Sequence, residues 1–137
     1  MEEFFWIGLK AVPGIGNVAF RRILEKCDTP EAALTASPRL LSEVRGITPA
    51  IIEGICSGAW RSFAEEECRR LETSGARLVT FTSSDYPKSL FEIPDPPPFL
   101  YVKGELRSGE ISIALVGSTR ATSYGLMTTG NLSAALA

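Results

Sequence analysis

Apolar residues in the first 75 positions recur at the three- and four-residue spacing of amphipathic helices, separated by Gly, Pro and Ser. This spacing predicts a first helix stopped by Pro13 and a second helix with Asn17 as its N-cap. A capping hydroxyl followed by proline is typical of a helix start, and it predicts three more helices at Thr29-Pro30, Ser37-Pro38 and Thr48-Pro49. A last helix is predicted from about residue 57 to 74, with Gly75 as its C-cap.

After Gly75 the pattern changes to short β-branched and aromatic runs. Strands are predicted at residues 76–83, at 99–104 ("FLYVKG") and at 111–117 ("ISIALVG"), the last apolar on both faces as in a buried parallel sheet. A short helical turn follows Tyr86-Pro87, and a helix from about Thr122 to Ala137 follows the third strand. Because strands and helices alternate, we predict βαβ units, and hence an all-helical domain at residues 1–75 followed by an α/β domain at 76–137.

Composition excludes several kinds of chemistry. The chain has a formal net charge of −2 and no histidine, which removes Ser-His-Asp and Cys-His catalysis and imidazole metal sites. Cys27, Cys56 and Cys68 are isolated and are interpreted as reduced thiols of a cytoplasmic protein. The start of the chain is not basic, and no apolar stretch is long enough to span a bilayer. We therefore expect no metal, no cofactor and no membrane association.

The segment "VPGIGNVAFRRIL" fits a helix-hairpin-helix pattern. Gly14 and Gly16 allow a tight turn, and the amides at the start of the next helix could hold a phosphate, with Arg21 and Arg22 one turn further on. A degenerate second copy repeats this spacing, with Thr48 in the place of the second glycine, at Leu41, Val44, Gly46 and Ile47. Residues 1–75 carry nine basic and eleven acidic side chains, so a scaffold or protein-contact role stands beside DNA contact as an alternative.

A second candidate site follows the predicted third strand, in "IALVGSTRATSYG". Gly117 leaves room for a ligand, the amides and hydroxyls around it can bind an anion, and one arginine supplies charge. The candidate phosphate- or DNA-binding residues are Gly117, Ser118, Thr119, Arg120, Thr122 and Gly125. The segment matches neither a Walker loop nor G-x-G-x-x-G, and an ordinary capped strand-to-helix turn is the alternative.

The order of these motifs resembles the DNA processing protein A (DprA/Smf) family, of which the chain would be the N-terminal portion. The resemblance rests on "YPKSLFEIPDPPPFLYVKGEL" and "IALVGSTRATSYG" behind a Pro-Gly-Ile-Gly helical domain. It implies a small helix-hairpin-helix (SAM-like) domain followed by the first part of a Rossmann-like domain. It also implies a non-enzymatic protein that binds single-stranded DNA in natural transformation and recombination and helps load the recombinase RecA.

The resemblance places the family's Gly-Ser-Arg DNA-binding turn at Gly117, Ser118 and Thr119, so threonine stands where the family usually has arginine. Later strands and basic and aromatic segments of the family lie outside this sequence. We therefore favour a fragment with weak DNA affinity, and a homodimer formed through the open sheet edge is the alternative. A nucleoside-monophosphate ribohydrolase-like enzyme and a helical protein-interaction module are the other hypotheses.

Overall fold

The computed structural model describes residues 2–106 and 113–136. Its helices are α1 Glu2–Ala11, α2 Asn17–Cys27, α3 Pro30–Thr35, α4 Pro38–Ser42, α5 Pro49–Ser57, α6 Trp60–Ser74 and α7 Ser123–Leu136. Two strands, β1 Arg77–Thr80 and β2 Phe99–Val102, flank a 3₁₀ helix at Lys88–Glu92. The described residues are thus mostly helical with one small sheet, an α+β arrangement. Across the described ranges, no helix is both long and apolar enough to cross a membrane.

The three helices predicted from a hydroxyl before a proline are confirmed. Thr29 Oγ1 accepts the Ala32 amide at 3.1 Å, Ser37 Oγ accepts the Leu40 amide at 3.3 Å, and Thr48 Oγ1 accepts the Ile51 amide at 3.4 Å. Each bond satisfies one of the amides that a helix start leaves without a partner. The proline that follows is the first helical residue, and its ring fixes its own φ near the helical value. Gly75 is also confirmed as the C-cap of α6, with a φ of +67°.

The predicted N-cap of α2 is wrong. Gly16 occupies that position with extended backbone, and Asn17 is the first residue of the helix. The side-chain amide of Asn17 instead donates to the Asp95 carbonyl at 3.4 Å. The Asn17 side chain therefore makes a long-range hydrogen bond to the proline-rich segment instead of the helix cap that the local sequence predicted.

The core of the helical half is built around aromatic rings. Trp6 and Phe20 stack with ring centroids 5.5 Å apart, and both side chains are at most 2% exposed. Trp60 is buried on the other side of α1, where its indole donates to the Ile55 carbonyl at 3.1 Å. Each of the first six helices contributes at least one further side chain to this core, and the largest of the fully buried ones include Ile7, Leu9, Ile23, Leu41 and Ile55.

β1 and β2 pair in antiparallel register, with Leu78 opposite Tyr101 and Val79 opposite Leu100. The prediction of a βαβ unit is therefore wrong for these two strands. A parallel crossover needs a helix that packs on the sheet, whereas this connection contains a five-residue 3₁₀ helix and a run of prolines. Within this connection, the Tyr86 hydroxyl donates to the Pro97 carbonyl at 2.7 Å, which links the start of the connection to its end.

The prediction of a buried third strand is wrong for residues 113–117, and residues 111–112 lie outside the described residues. Residues 113–117 have no regular structure, and Val116 is 93% exposed. A strand needs hydrogen-bonding partners for its backbone, and no described strand lies paired with this segment. The helix predicted after it is present as α7, whose described side chains are mostly exposed.

The sheet packs on the helical core. Phe81, at the end of β1, meets the Trp6 ring edge-on with centroids 5.3 Å apart, and Leu78 and Phe99 are partly buried against the same cluster. A smaller cluster of Val79, Tyr86 and Val102 lies on the sheet itself. The division into domains at residue 75 remains a prediction.

Candidate nucleic-acid interface

The turn between α1 and α2 is closed by backbone hydrogen bonds and a buried anchor. The Ile15 amide donates to the Val12 carbonyl at 3.1 Å, and the Ile15 side chain is 3% exposed. Gly14 has a φ of +89°, a conformation that favours glycine. Lys10 donates from Nζ to the Ile15 carbonyl at 3.0 Å, which fixes the turn against the end of α1.

The turn between α4 and α5 repeats this geometry. The Ile47 amide donates to the Val44 carbonyl at 3.2 Å, and Gly46 has a φ of +87°. Ile52 donates to the Thr48 carbonyl at 3.1 Å, as Phe20 does to the Gly16 carbonyl at 2.9 Å. The second copy suggested by the sequence is therefore present as a structural repeat of the turn.

The two turns pack on each other's helices. A Cβ at Gly14 would lie 3.1 Å from Ile51 Cγ1 in α5, and Arg22 in α2 donates to the Arg45 carbonyl at 3.3 Å beside the second turn. Arg21 is exposed and lies 3.9 Å from Glu25. The structure thus places Gly14 and Arg22 at the contact between the repeats, and Gly16 and Arg21 at the surface.

The repeat separates the roles of the two glycines and yields a paired prediction. Gly16 has a φ of −76°, and a Cβ there would meet nothing within 4 Å, whereas Thr48 in the equivalent place caps its helix. We expect Gly16→Ser to raise the free energy of unfolding by about 0.5–1 kcal/mol. Gly14→Ser is expected to lower it by about 1–2 kcal/mol because of its positive φ. Chemical denaturation of both variants tests this, and effects of the same sign would contradict it.

The segment before α7 places its candidate residues at the surface. Gly117, Ser118, Thr119 and Arg120 are exposed, and the Arg120 amide donates to Ser118 Oγ at 3.2 Å. Gly117, Ser118 and Arg120, but not Thr119, line a hollow of about 550 Å³ together with residues of α7. The described lining includes Arg120 and no carboxylate, so the charge of the hollow suits an anion.

Thr122 and Gly125 are joined by the helix cap. Thr122 Oγ1 accepts the Gly125 amide at 3.2 Å, and the Thr122 carbonyl accepts the Leu126 amide at 3.0 Å. Thr122 therefore caps the start of α7, as in an ordinary strand-to-helix turn, and the Gly125 amide already has a hydrogen-bond acceptor within the chain. Tyr124 also lines the hollow and is 72% exposed. Sequence analysis passed over this aromatic residue, although its position two residues after the cap could have drawn attention to it.

The cysteines are not arranged for chemistry. Cys27 is buried and Cys68 is half-buried, and burial raises the pKa of both thiols, which keeps them protonated at neutral pH. Within the described ranges, no group of His, Cys, Asp or Glu side chains could hold a metal ion.

Comparison with known proteins adds a family to this geometry. The family model for DNA recombination-mediator protein A matches residues 77–137, which include the hollow before α7. Protein Smf from Synechocystis sp. strain PCC 6803 is 31% identical over 140 aligned residues, covering 98% of this chain and 35% of that protein. No solved structure matches the chain significantly.

These matches show that the chain belongs to the DprA/Smf family, as its motifs indicated. The chain spans about a third of the length of the curated relative.

Proposed function

We propose that the protein binds single-stranded DNA in DNA recombination and natural transformation, without catalysing a reaction. The observation that carries the proposal is the exposed Gly117–Arg120 turn, with its hydroxyls and guanidinium, inside the segment matched by the recombination-mediator family. Family membership gives the broader role in DNA processing, and the turn suggests the part of this chain that contacts DNA.

The turn suits a sugar–phosphate chain because its exposed residues carry hydroxyl groups and a guanidinium. Backbone amides at the start of α7 carry partial positive charge, and Arg120 can form charge-assisted hydrogen bonds with a phosphate. Thr119 adds a hydroxyl where the resembled family usually places arginine. Tyr124, on the first turn of α7, supplies an exposed ring for a base next to that phosphate.

The wider setting of this function is also a proposal. In it, the protein acts in the cytoplasm, delivers DNA to RecA through parts of the family that lie outside this sequence, and works as a homodimer. The Rossmann-like identity of residues 76–137 and the helix-hairpin-helix identity of residues 1–75 belong to the same proposal. Within that scheme Arg22 and Gly14 have a scaffold role, since both are used in contacts between the two turns.

Replacement of Arg120 tests the proposal. We expect Arg120→Ala to weaken binding of a fluorescent oligo-dT by roughly fivefold to tenfold, because one charge-assisted phosphate contact is lost. The slope of log affinity against log salt should fall by about 0.7, the value for one phosphate on a single strand. Fluorescence anisotropy at several salt concentrations measures both quantities.

Two controls make this test specific. Arg120→Lys keeps the charge and should recover part of the affinity, whereas Arg39→Ala removes an exposed arginine from α4 and should leave it unchanged. An Arg120→Ala variant that binds as tightly as the unmodified chain would remove the turn from the DNA-binding surface. Release of free base from AMP by the longer family protein would instead favour a ribohydrolase.

A further inference from the structure

A groove between the helical core and the segment that leads into β2 combines exposed aromatic rings with a lysine. Its volume is about 330 Å³, and its lining includes Phe63, Phe99, Tyr101, Pro97, Lys10 and Asn17. Phe63 is 53% exposed and Tyr101 is 50% exposed, although both are large aromatic side chains. We call this feature the aromatic groove.

Two of the rings in the aromatic groove pack against each other. Phe99 meets Tyr101 edge-on, with centroids 5.6 Å apart and planes at 90°. Desolvation and then the Glu67 carboxylate raise the pKa of Tyr101 to about 12, so its hydroxyl stays uncharged at neutral pH. Glu67 is in turn paired with Arg70 at 2.9 Å, which offsets its negative charge. The Tyr101 ring is therefore packed against Phe99 and carries no charge of its own.

Charge distinguishes the aromatic groove from the other large hollows of the helical half. The hollow between α1, α6 and β1 has three carboxylates, Glu3, Glu65 and Glu72, beside two arginines, Arg69 and Arg77. The hollow beside the start of α3 is lined by Glu2, Asp28 and Glu31. The described lining of the aromatic groove has Lys10 as its charged side chain and no carboxylate. Of these three hollows, the aromatic groove is thus the one that a polyanion can approach without facing a row of carboxylates.

The aromatic groove also lies beside the first glycine turn. Lys10 bonds the Ile15 carbonyl within that turn, and Asn17 is the first residue of α2. Single-stranded DNA sites combine ring faces for stacking with cationic groups and backbone amides for the phosphates. Sequence analysis found the turn but not the rings, which come from α6 and β2 and meet only in the folded chain.

We propose that the aromatic groove stacks a nucleobase of single-stranded DNA on Phe63 and Tyr101, with Lys10 beside the adjoining phosphate. This inference rests on the proposed function, because it gives the same ligand a second contact on the helical half. It differs from the turn before α7 in its main contact, since the groove stacks a base on two rings, whereas the turn holds a phosphate and has Tyr124 as a single added ring.

An oligomer without bases separates the two contacts. We expect the full 137-residue chain to bind oligo-dT roughly fivefold or more tightly than an abasic oligomer of equal length, as stacking of one base gives. Phe63→Leu and Tyr101→Leu keep apolar volume but remove the ring plane, and each should make that difference in affinity smaller. Neither should change the affinity for the abasic oligomer. Phe91→Leu, at a ring that is 52% exposed elsewhere on the chain, is the matched control and should have no effect.

Each result decides the proposal. Loss of the preference for bases in the two groove variants, with circular dichroism showing an intact fold, supports stacking. Equal affinity for both oligomers, or unchanged oligo-dT affinity in the groove variants, overturns it and leaves the turn before α7 intact. If the oligo-dT affinity is unchanged in the groove variants, an apolar peptide becomes the expected ligand of the groove. Failure of both oligomers to bind overturns stacking and the proposed function together.

Discussion

Replacing Phe20 with alanine is expected to lower the free energy of unfolding by about 3–5 kcal/mol. Phe20 is 0% exposed and stacks on Trp6, which in turn meets Phe81 at the end of β1. Removal of the ring leaves a cavity at the centre of the helical core and deprives Trp6 of one face. Since a domain of this size is stable by only about 5–15 kcal/mol, the loss should be visible as a large shift of the urea midpoint.

The control for this variant is Phe91→Ala. Phe91 is 52% exposed and touches Tyr86 at a centroid distance of 5.0 Å, so its replacement should cost about 1 kcal/mol or less. Near-ultraviolet circular dichroism of Phe20→Ala should also lose tryptophan signal, because Trp6 no longer has a fixed partner. Similar stabilities for the two variants would show that the Trp6–Phe20 stack is not the centre of the core.

Local sequence predicted the helices well because their boundaries are set locally. Each hydroxyl-proline pair supplies both a cap and a preset φ, and both effects act within one turn of the chain. Asn17 is the exception that shows the limit of this argument. Its side chain is equally suited to capping, but Asp95 offers a partner from a distant segment, and only the folded chain reveals that choice.

The sheet was harder to predict because pairing is a long-range property. Strand character was correct for β1 and β2, yet the direction of pairing depends on how residues 81–98 fold back, which β propensity does not record. The apolar run at 113–117 has strand propensity but no paired strand among the described residues. Residues with high β propensity can form a strand, but they do so only where another strand supplies hydrogen-bonding partners.

The candidate binding residues also differ in whether they are close together in the sequence or only in the folded chain. The residues of the turn before α7 are contiguous, so the sequence could place Ser118 and Arg120 together, and the structure shows them exposed there. Phe63 and Tyr101 are far apart in sequence and share a groove only because α6 packs near the sheet. For the same reason, the sequence could not show that Arg22 is bonded to the second turn.

Gly8→Ala provides the second large stability prediction, because a close helix contact depends on the missing side chain. A Cβ at Gly8 would overlap Trp60 Cε3 and lie 2.7 Å from Trp60 Cζ3, closer than real Cβ contacts. Trp60 cannot move freely, since its ring is 4% exposed, its indole bonds the Ile55 carbonyl, and Arg61 lies 4.6 Å from its centroid. We expect a loss of about 2–3 kcal/mol, despite the gain of roughly 1 kcal/mol in helix propensity from glycine to alanine.

Gly130→Ala isolates the propensity effect from the overlap with Trp60. Gly130 lies in α7, and a Cβ there would meet nothing within 4 Å, so the same substitution should leave α7 unchanged or slightly more helical. Thermal unfolding followed at 222 nm compares the two variants directly. If Gly8→Ala unfolds at the same temperature as Gly130→Ala, then α1 and α6 separate at little cost. The close contact between Gly8 and Trp60 would then contribute little to the packing of α6 on α1.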